Sequence, residues 1–313
     1  APPRRPEEPL TAQHQDIACS IQQVTEEIIL GIARHARGLT GATALCMAGG
    51  VALNCTANGV LKRAGVFDDI WIQPAAGDAG GAIGAALAYW YLSSAGRERT
   101  SGLDGMHGAL LGPSFSNEEI VSALERLGVP FQVHSHEQML QKTAEALAAG
   151  KVVGWVQDRA EFGPRALGAR SILASAATAE MKEKINRVVK RREPFRPFAP
   201  AVLAEKAGAW FEMDDSPYML FTCTPKDAAQ AARIPAAVHV DGTSRVQTVH
   251  RETHPVFHAL LQRYEAITGV PVLLNTSFNV KDEPIVNSVE DAVRCMRGAG
   301  LDLLIMEDVI VRN

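Results

Sequence analysis

Two segments in the first third of the sequence each join a short apolar strand, a glycine-rich turn and a helix. The first covers residues 43–63 and turns at Gly49-Gly50, and the second covers residues 70–92. A turn of this kind at a helix N-terminus presents free backbone N–H groups to an anion. Two such units side by side favour an α/β fold in which strands and helices form separate layers.

Apolar residues recur at helical spacing before the first unit and predict a helix over residues 10–37. Residues 93–113 are rich in Gly, Ser and Arg and place a domain boundary near Gly112, which divides the chain into 1–112 and 113–313. Strands and helices alternate beyond it and predict a second α/β domain of about 200 residues. Its predicted helices are 117–127, 137–149, 179–191, 256–267 and 289–298, and its predicted strands are 151–156, 272–274, 301–306 and short segments near 238 and 246.

Composition excludes several classes of protein. The 313 residues carry a net charge of −4, which argues against a general nucleic-acid binder, and no apolar stretch is long and uncharged enough to span a membrane. The five cysteines form no CxxC pair, so we expect neither a disulfide scaffold nor a zinc ribbon, and a cytoplasmic location. The polar, proline-rich start lacks an initiator Met, and we expect the chain to be a fragment of a longer one.

The glycine-rich turns do not follow the usual phosphate-binding templates. Neither GxxxxGK[ST] nor GxGxxG occurs, so Gly49-Gly50 and residues 77–81 remain the candidates for a phosphate cradle. The alternative is that these glycines only permit tight turns and close helix packing. Asp78 has two interpretations as well: it could cap a helix, or it could hold a divalent metal against nucleotide phosphates.

Three arginines lie in loops built largely of Gly, Pro, Ser and Thr. Arg165 lies in the loop 161–171, Arg196 in a proline- and phenylalanine-rich segment, and Arg245 in residues 241–247. Guanidinium groups suit bidentate capture of phosphate or carboxylate, so convergence of the three would indicate a polyanionic small molecule. Arg196 ends a basic run, for which a solvated helix face is the alternative. The other members of this run are Lys182, Lys184, Arg187, Lys190, Arg191 and Arg192.

Polar residues follow the apolar strand 272–274, and Asn275 and Ser277 are candidates to bind a ligand, with a simple turn as the alternative. His250, His254 and His258 are spaced by four, but Pro255 favours the first helical turn and leaves the first two histidines outside the helix. We therefore expect no metal site there, nor at the pair His134 and His136. No Ser-His-Asp or Cys-His system is evident, so conventional hydrolysis is not supported.

Six ordered motifs then give a specific resemblance over essentially the whole chain. Together they resemble the O-carbamoyltransferases of the tobramycin and nodulation-factor type. The motifs are AGGVALN at 48–54, GDAGGAIGAAL at 77–87, EFGPRALGARSIL at 161–173, REPFRPFAP at 192–200, HVDGTSRVQTV at 239–249 and LLNTSFN at 273–279.

The resemblance implies an α/β fold in which part of an actin/Hsp70-like ATPase (ASKHA) domain, residues 1–112, precedes a YrdC-like domain, residues 113–313. In such enzymes the YrdC-like domain forms carbamoyladenylate from carbamoyl phosphate and ATP with release of pyrophosphate. The other domain then moves the carbamoyl group to a hydroxyl of a small-molecule acceptor, using a divalent metal, Fe²⁺ by resemblance with Mg²⁺ as the alternative.

The matching motifs show which positions of this chain correspond to functional residues of the family. The resemblance implies that Asp78 is a metal ligand and that Gly49, Gly50 and Asn54 surround the nucleotide of the transfer site. Lys190 and Arg245 would be catalytic. The residues expected to bind carbamoyl phosphate and nucleotide are Arg165, Lys190, Arg196, Arg245, Asn275 and Ser277.

One family feature has no match. The family's metal site also uses an HxxxH-type motif, and His14 and His35 are too far apart to supply it. We therefore expect the chain to hold only the second half of the transfer domain, with the missing half in the same gene or a separate chain. The incomplete half should expose apolar surface and favour a homodimer or poor solubility. Two alternatives stay open: a threonylcarbamoyl-adenylate synthase relative in tRNA modification, and a non-catalytic nucleotide- or RNA-binding module using residues 182–196.

Overall fold

The computed structural model describes residues 3–5, 8–93, 104–213 and 215–313, which form an α/β fold with one large mixed sheet and one small parallel sheet. The helices are α1 Ala12–Thr40, α2 Cys55–Arg63, α3 Gly80–Leu92, α4 Asn117–Arg126, α5 His136–Ala148, α6 Ala179–Lys184, α7 Ala207–Trp210, α8 Ala228–Arg233, α9 Pro255–Thr268 and α10 Val289–Ala299. The strands are β1 Ala44–Met47, β2 Asp69–Ile72, β3 Phe131–Val133, β4 Val153–Val156, β5 Arg170–Ser175, β6 Ala199–Leu203, β7 Gln247–Val249, β8 Val272–Ser277, β9 Leu303–Met306 and β10 Val309–Arg312. No helix of these ranges is long and apolar enough to cross a membrane.

The small sheet confirms the two predicted strand–glycine–helix units. Strands β1 and β2 pair in parallel, with Ala44 opposite Asp69. The first predicted helix begins as a 3-10 turn, Gly50–Leu53, and α2 follows after Asn54, whose side chain accepts a hydrogen bond from the Ala57 N–H at 3.1 Å. Asn54 is therefore the N-cap of α2, a residue type that favours this position because its amide oxygen satisfies a free helix N–H.

The large sheet has the strand order β3-β10-β9-β4-β5-β8-β6-β7. Strands β5 and β6 both run antiparallel to β8, and β7 runs parallel to β6. The loops that precede β5, β6 and β7 therefore meet at one edge, beside the end of β8. In register terms, Ser171 lies opposite Ser277, and Ala199 lies opposite Asn275. This topology, rather than any local motif, determines which polar loops come together.

Helix α2 packs directly against the chain that follows β6. The buried Asn58 amide donates to the carbonyls of Ala52 and Leu220 at 2.7 and 2.9 Å, and the Thr222 N–H donates to the Cys55 carbonyl at 3.1 Å. At Gly59 a β-carbon would lie only 2.5 Å from Thr222 Oγ1. Glycine is required here for close approach, because any larger residue would push the two segments apart.

Five apolar residues of α1 face away from the rest of the fold, whereas Ile29 and Leu30 are partly buried against the cluster of Ala33, Leu61 and Phe67. Ile17, Ile21, Val24, Ile28 and Ile32 are 47–64% exposed, and the buried member of the helix is Ala33, which packs with Leu61 and Phe67. Helix α3 buries none of its residues. The periodicity thus predicted the helix correctly, and the expected exposed apolar surface is present on α1 and α3.

Other sequence expectations need correction. The basic helix predicted over 179–191 ends as α-helix at Lys184 and continues as a π-helical turn, Ile185–Val189. No strand forms near Val238, which follows a 3-10 turn. Strand β6 was not expected because it contains Pro200, which cannot donate to a sheet ladder, and β10 forms a hairpin with β9 that the pattern did not indicate. Of the predicted boundary segment 93–113, residues 94–103 lie outside the described residues.

Candidate functional site

Four arginines converge on a pocket of about 300 Å³ at the edge where the loops before β5, β6 and β7 meet the end of β8. Arg165, Arg196 and Arg245 were expected to converge, and Arg192 joins them. No carboxylate lies among the described residues of the pocket wall. The residues of this arginine pocket are Cys55, Thr56, Pro164, Arg165, Ala166, Arg192, Arg196, Pro197, Phe198, Ala199, Met219, His239, Arg245, Asn275, Thr276 and Ser277.

The loop that carries Arg165 is held by a single carboxylate. Glu161 accepts the backbone N–H groups of Leu167 and Ala169 at 2.6 and 2.8 Å, as well as that of Arg170. A carboxylate that accepts several backbone N–H groups fixes a loop without regular secondary structure. Arg165 is thereby presented to the pocket, where its Nε is buried with no hydrogen-bond partner among the described residues.

A buried amide organises the loop that carries Arg192 and Arg196. The Asn186 side chain donates to the carbonyls of Pro194 and Arg196 at 3.1 and 2.8 Å and accepts from Arg192 Nε at 2.7 Å. The guanidinium of Arg192 also lies over the Phe198 ring, 4.8 Å from its centre. Asn186 lies in the π-helical turn, so this irregularity of the helix positions the side chain that organises the arginine loop.

The guanidinium groups repel one another. Burial, together with the nearby charge of Arg245, lowers the pKa of Arg165 to about 10. Burial and the charges of Arg196 and Arg245 lower the pKa of Arg192 to about 10. Both groups remain charged at neutral pH, so the pocket holds several uncompensated cations in a partly desolvated space. A bound anion would relieve this repulsion, so the electrostatics as well as the geometry of the pocket favour an anionic ligand.

Asn275 contributes an oriented amide at the end of β8. Its side chain is fully buried and donates to Gln247 Oε1 at 2.7 Å, while Gln247 donates to the Leu167 carbonyl at 2.6 Å. The carbonyl of Leu167 can only accept, so both amide orientations are fixed. Asn275 Oδ1 is left buried without a partner among the described residues. Ser277 also lines the pocket, as expected from the sequence.

Lys190 lies behind the pocket wall rather than on it. Its ammonium is within hydrogen-bond distance of the carbonyls of Ser277 and Asn279 at 2.5 and 2.9 Å, and of Ser277 Oγ and Asn279 Oδ1 at 3.2 and 2.8 Å. The residue is 5% exposed, and burial, with the charges of Arg192 and Arg196, lowers its pKa to about 7. Lys190 therefore fixes the segment that presents Ser277.

The basic run 182–196 is not one solvated face. Lys190 is buried, Arg192 and Arg196 turn into the pocket, and Lys184 pairs with Asp302 at 3.6 Å. The proline and phenylalanine residues around Arg196 were the sequence signal for this arrangement. This geometry favours the anion-clamp interpretation over the solvated-face alternative.

None of the residues expected around the transfer site lines the arginine pocket: Gly49 and Gly50 are exposed, and Asn54 is partly buried beside the pocket residue Cys55. Gly49 has a φ of +100° and donates its N–H to the Ala76 carbonyl at 2.8 Å, so this N–H is already engaged in joining the two glycine turns. A β-carbon at Gly49 or Gly50 would meet nothing within 4 Å. These observations agree with a turn-forming role for Gly49, while the predicted nucleotide contacts of Gly49, Gly50 and Asn54 remain predictions.

Asp78 does not form a complete metal site within the described residues. Its carboxylate is exposed, and no three His, Cys, Asp or Glu side chains of residues 3–5, 8–93, 104–213 and 215–313 form a metal-binding group. A stable iron or zinc site takes three or four protein ligands. Asp78 could supply one of them, and the remaining ligands would have to come from elsewhere.

The spaced histidines contact separate partners. His250 pairs with Asp215 at 2.7 Å, and His258 pairs with Glu205 at 3.1 Å. His254 is the N-cap residue of α9 without a capping side-chain bond, and Pro255 follows in the first turn. The predicted placement of Pro255 is confirmed. His136 pairs with Asp308 at 3.1 Å. Three larger cavities, of about 590, 620 and 440 Å³, contain none of the residues expected at the site.

Sequence reasoning missed three residues that shape the arginine pocket: Asn186, Gln247 and His239. Asn186 acts through side-chain hydrogen bonds within its own loop, and the sequence pattern around it gave no signal of this role. Gln247 and His239 both lie in the same quoted motif as Arg245 and could have been considered on that basis.

Comparisons with known proteins point in one direction. Residues 4–87 match the family model for the carbamoyltransferase N-terminus, and residues 144–313 match that for the carbamoyltransferase C-terminus, so parts of both family domains are present. The protein sll1178 of Synechocystis sp. is 46% identical over 99% of this chain and 54% of its own length. Nodulation protein NolO of Bradyrhizobium diazoefficiens is 43% identical over 99% of this chain and 57% of its own length. The chain thus spans about half the length of the curated relatives that it matches.

Among solved structures, a full-length HypF in a phosphate- and nucleotide-bound form is 20% identical to the chain, with a TM-score of 0.39. The match covers 59% of this chain and 22% of that one.

Proposed function

The chain belongs to the carbamoyltransferase family, and on this premise we propose that the arginine pocket binds carbamoyl phosphate and ATP and forms carbamoyladenylate. The observation that carries the proposal is the convergence of four guanidinium groups from three loops, with no carboxylate among the described residues of the pocket wall. Two polyanionic reactants can approach each other only if their charges are compensated. Within this proposal, residues 113–313 are a YrdC-like activating domain.

The proposed reaction balances with one water molecule. Water cleaves carbamoyl phosphate to carbamate and inorganic phosphate. A carbamate oxygen then attacks the α-phosphorus of ATP, and the bond to the β-phosphate oxygen breaks with release of pyrophosphate. Arg165, Arg196 and Arg245 would hold the phosphate groups and stabilise the charge that develops during displacement. This chemistry requires positioning and electrostatics and no covalent nucleophile.

Transfer of the carbamoyl group to a hydroxylated small molecule is the second proposed step. We assign it to an actin/Hsp70-like domain of which residues 1–112 form a part, around Gly49, Gly50 and Asn54. A divalent metal, iron or magnesium, would polarise the carbamoyl group when bound. Because Asp78 alone does not make a complete metal site, we assign this chain no step that depends on the metal.

We further propose that the exposed apolar face of α1 and α3 packs against the remaining half of the transfer domain. The curated relatives extend well beyond the matched region, and the five exposed α1 side chains form a continuous helical stripe. Co-expression with the corresponding half of a relative should give a 1:1 complex. Self-association without complex formation would favour a homodimer instead.

The decisive experiment measures pyrophosphate release from ATP with and without carbamoyl phosphate. We expect release only when carbamoyl phosphate is present, and a loss of about a hundredfold or more in Arg245→Ala, the usual cost of removing one preorganised donor. Arg126→Ala is the matched control, because this arginine is 66% exposed at the side chain and lies outside the pocket. If bicarbonate and threonine replaced carbamoyl phosphate, the threonylcarbamoyl-adenylate alternative would be correct.

A further inference from the structure

His239 is held in the wall of the arginine pocket by a short chain of side chains. Its Nδ1 lies 3.2 Å from Thr243 Oγ1, and Thr243 Oγ1 donates to Asp241 Oδ1 at 2.8 Å. The Thr243 N–H also donates to Asp241 Oδ1, at 2.9 Å. Burial opposes ionisation of Asp241, but these bonds from Thr243 outweigh it and lower the pKa of the carboxyl. Asp241 is therefore ionised at neutral pH and can only accept.

The hydrogen bonds from His239 through Thr243 to Asp241 determine which nitrogen of His239 carries the proton. Thr243 has one hydroxyl proton, which it gives to Asp241, so its oxygen must accept from the Nδ1–H of His239. Burial and the nearby cations Arg245 and Lys182 lower the pKa of His239 to about 4 against the opposing charge of Asp241. The ring is thus neutral at physiological pH, and Nε2 carries a lone pair. This Nε2 is buried and has no partner among the described residues.

Two oriented acceptors therefore belong to side chains that line the arginine pocket beside its four guanidinium groups. Asn275 Oδ1 is fixed by Gln247, and His239 Nε2 is fixed by Thr243, and each lacks a hydrogen-bond donor. A buried acceptor without a partner costs free energy, whereas one met by a ligand N–H or O–H contributes to affinity. A fully ionised phosphate has no proton to offer. The pocket is suited to an anion that also carries hydrogen-bond donors.

We propose that His239 Nε2 accepts a hydrogen bond from the amide N–H of the bound carbamoyl group and so selects carbamoyl phosphate over acyl phosphates. This specificity role rests on the proposed function of the arginine pocket. An acetyl group has nearly the same shape as a carbamoyl group, but its methyl group cannot donate. An acyl phosphate would therefore leave His239 Nε2 unpaired, and a site of this kind rejects an analogue that lacks the donor.

The test uses two stable phosphonates that differ only in this group. Phosphonoacetamide carries the amide NH₂, and 2-oxopropylphosphonate carries a methyl group in its place. Calorimetric titration of the full-length protein should give an affinity for the amide about ten- to hundredfold higher than for the methyl ketone. In His239→Leu this preference should fall to within about twofold, with the methyl ketone affinity unchanged. His239→Gln, which retains an acceptor, should keep a several-fold preference.

A second variant tests the hydrogen bonds that orient His239. Thr243→Val leaves His239 in place but frees its ring to exchange tautomers, so the preference for the amide should fall part of the way. Wild-type-like melting of each variant establishes that it is folded. If His239→Leu weakened both ligands equally, or kept the full preference, the proposed role of His239 would be wrong. If the wild-type protein bound both phosphonates equally, the inference would fail alone; if it bound neither, the proposed function would fail with it.

Discussion

Arg165 Nη2 donates to the backbone carbonyl of Leu53 at 3.2 Å. This bond joins the arginine pocket to the 3-10 turn Gly50–Leu53 of the first glycine-turn unit. Cys55 and Thr56, the first residues of α2, line the same pocket. The first glycine-turn unit and the large sheet therefore both contribute to this pocket, and the packing of α2 contributes directly to its shape.

The close approach of α2 to Thr222 should be sensitive to a single methyl group. Gly59→Ala would place a β-carbon 2.5 Å from Thr222 Oγ1 and 2.6 Å from the Thr222 carbonyl. We expect a destabilisation of about 1–3 kcal/mol in urea unfolding, the usual cost of overpacking, together with weaker anion binding. Gly84→Ala in α3 is the control: it meets nothing within 4 Å and should be stabilising by about 0.5–1 kcal/mol from helix propensity. Equal effects of the two changes would contradict the packing argument.

Asn186 should be required for anion binding although it does not line the pocket. Asn186→Ala removes its side-chain bonds to Pro194, Arg196 and Arg192. Each such bond contributes about 1 kcal/mol, so we expect a loss of about 2–3 kcal/mol in stability and a tenfold or larger fall in sulfate affinity by calorimetry. Asn287→Ala changes an exposed asparagine and should alter neither quantity. Unchanged sulfate binding in Asn186→Ala would show that the loop is held by other contacts.

Sulfate binding should weaken as the pH rises through neutrality. Lys190 has a pKa of about 7 in the folded protein, so it is charged at pH 6 and loses its proton by pH 8.5. An anion binds the charged form more tightly, and affinity should therefore fall several-fold over this interval. Sulfate itself does not titrate there, nor do His239, at about 4, and Arg165, at about 10. Lys190→Gln should bind sulfate weakly but with no pH slope; a slope that persisted would assign the titration to another group.

The apolar face of α1 should drive association without contributing to the stability of the fold. Ile21→Glu with Ile28→Glu should change the free energy of unfolding by less than about 0.5 kcal/mol, because both side chains are exposed. The same change should reduce self-association in sedimentation experiments and binding of a hydrophobic dye. Leu61→Ala is the contrasting core change, since Leu61 is fully buried, and should cost about 2–5 kcal/mol. A large loss of stability in the double variant would mean that α1 packs through this face.

The sequence predicted the glycine-turn units and most helices because these depend on local periodicity and turn residues. It also identified Arg165, Arg196 and Arg245 from their rigid loops. It could not show that Arg192 would join them or that Lys190 would be buried, because those outcomes depend on the π-helical turn and on Asn186. Strand β6 was missed because Pro200 contradicts local strand rules, and only its place beside β8 explains it.

The site could be predicted only as a set of residue types. The fixed orientation of Asn275 depends on two hydrogen bonds between residues far apart in the sequence. Gln247 lies 28 positions from Asn275, and Leu167 lies 80 positions from Gln247. Side-chain hydrogen bonds between such distant segments depend on the strand order of the sheet. No short stretch of residues determines that order. The lone carboxylate of Asp78 similarly could not reveal whether a complete set of metal ligands would gather around it.

The order in which the strands meet at the arginine pocket has a consequence for folding. Three loops from different parts of the chain contribute guanidinium groups, so the pocket exists only when the central strands have all assembled. In the unbound protein these charges repel one another and oppose that assembly. Any anion that enters the pocket favours the assembled state by mass action. Phosphate in the surrounding solution would then serve this protein as a folding ligand, present long before any reaction takes place.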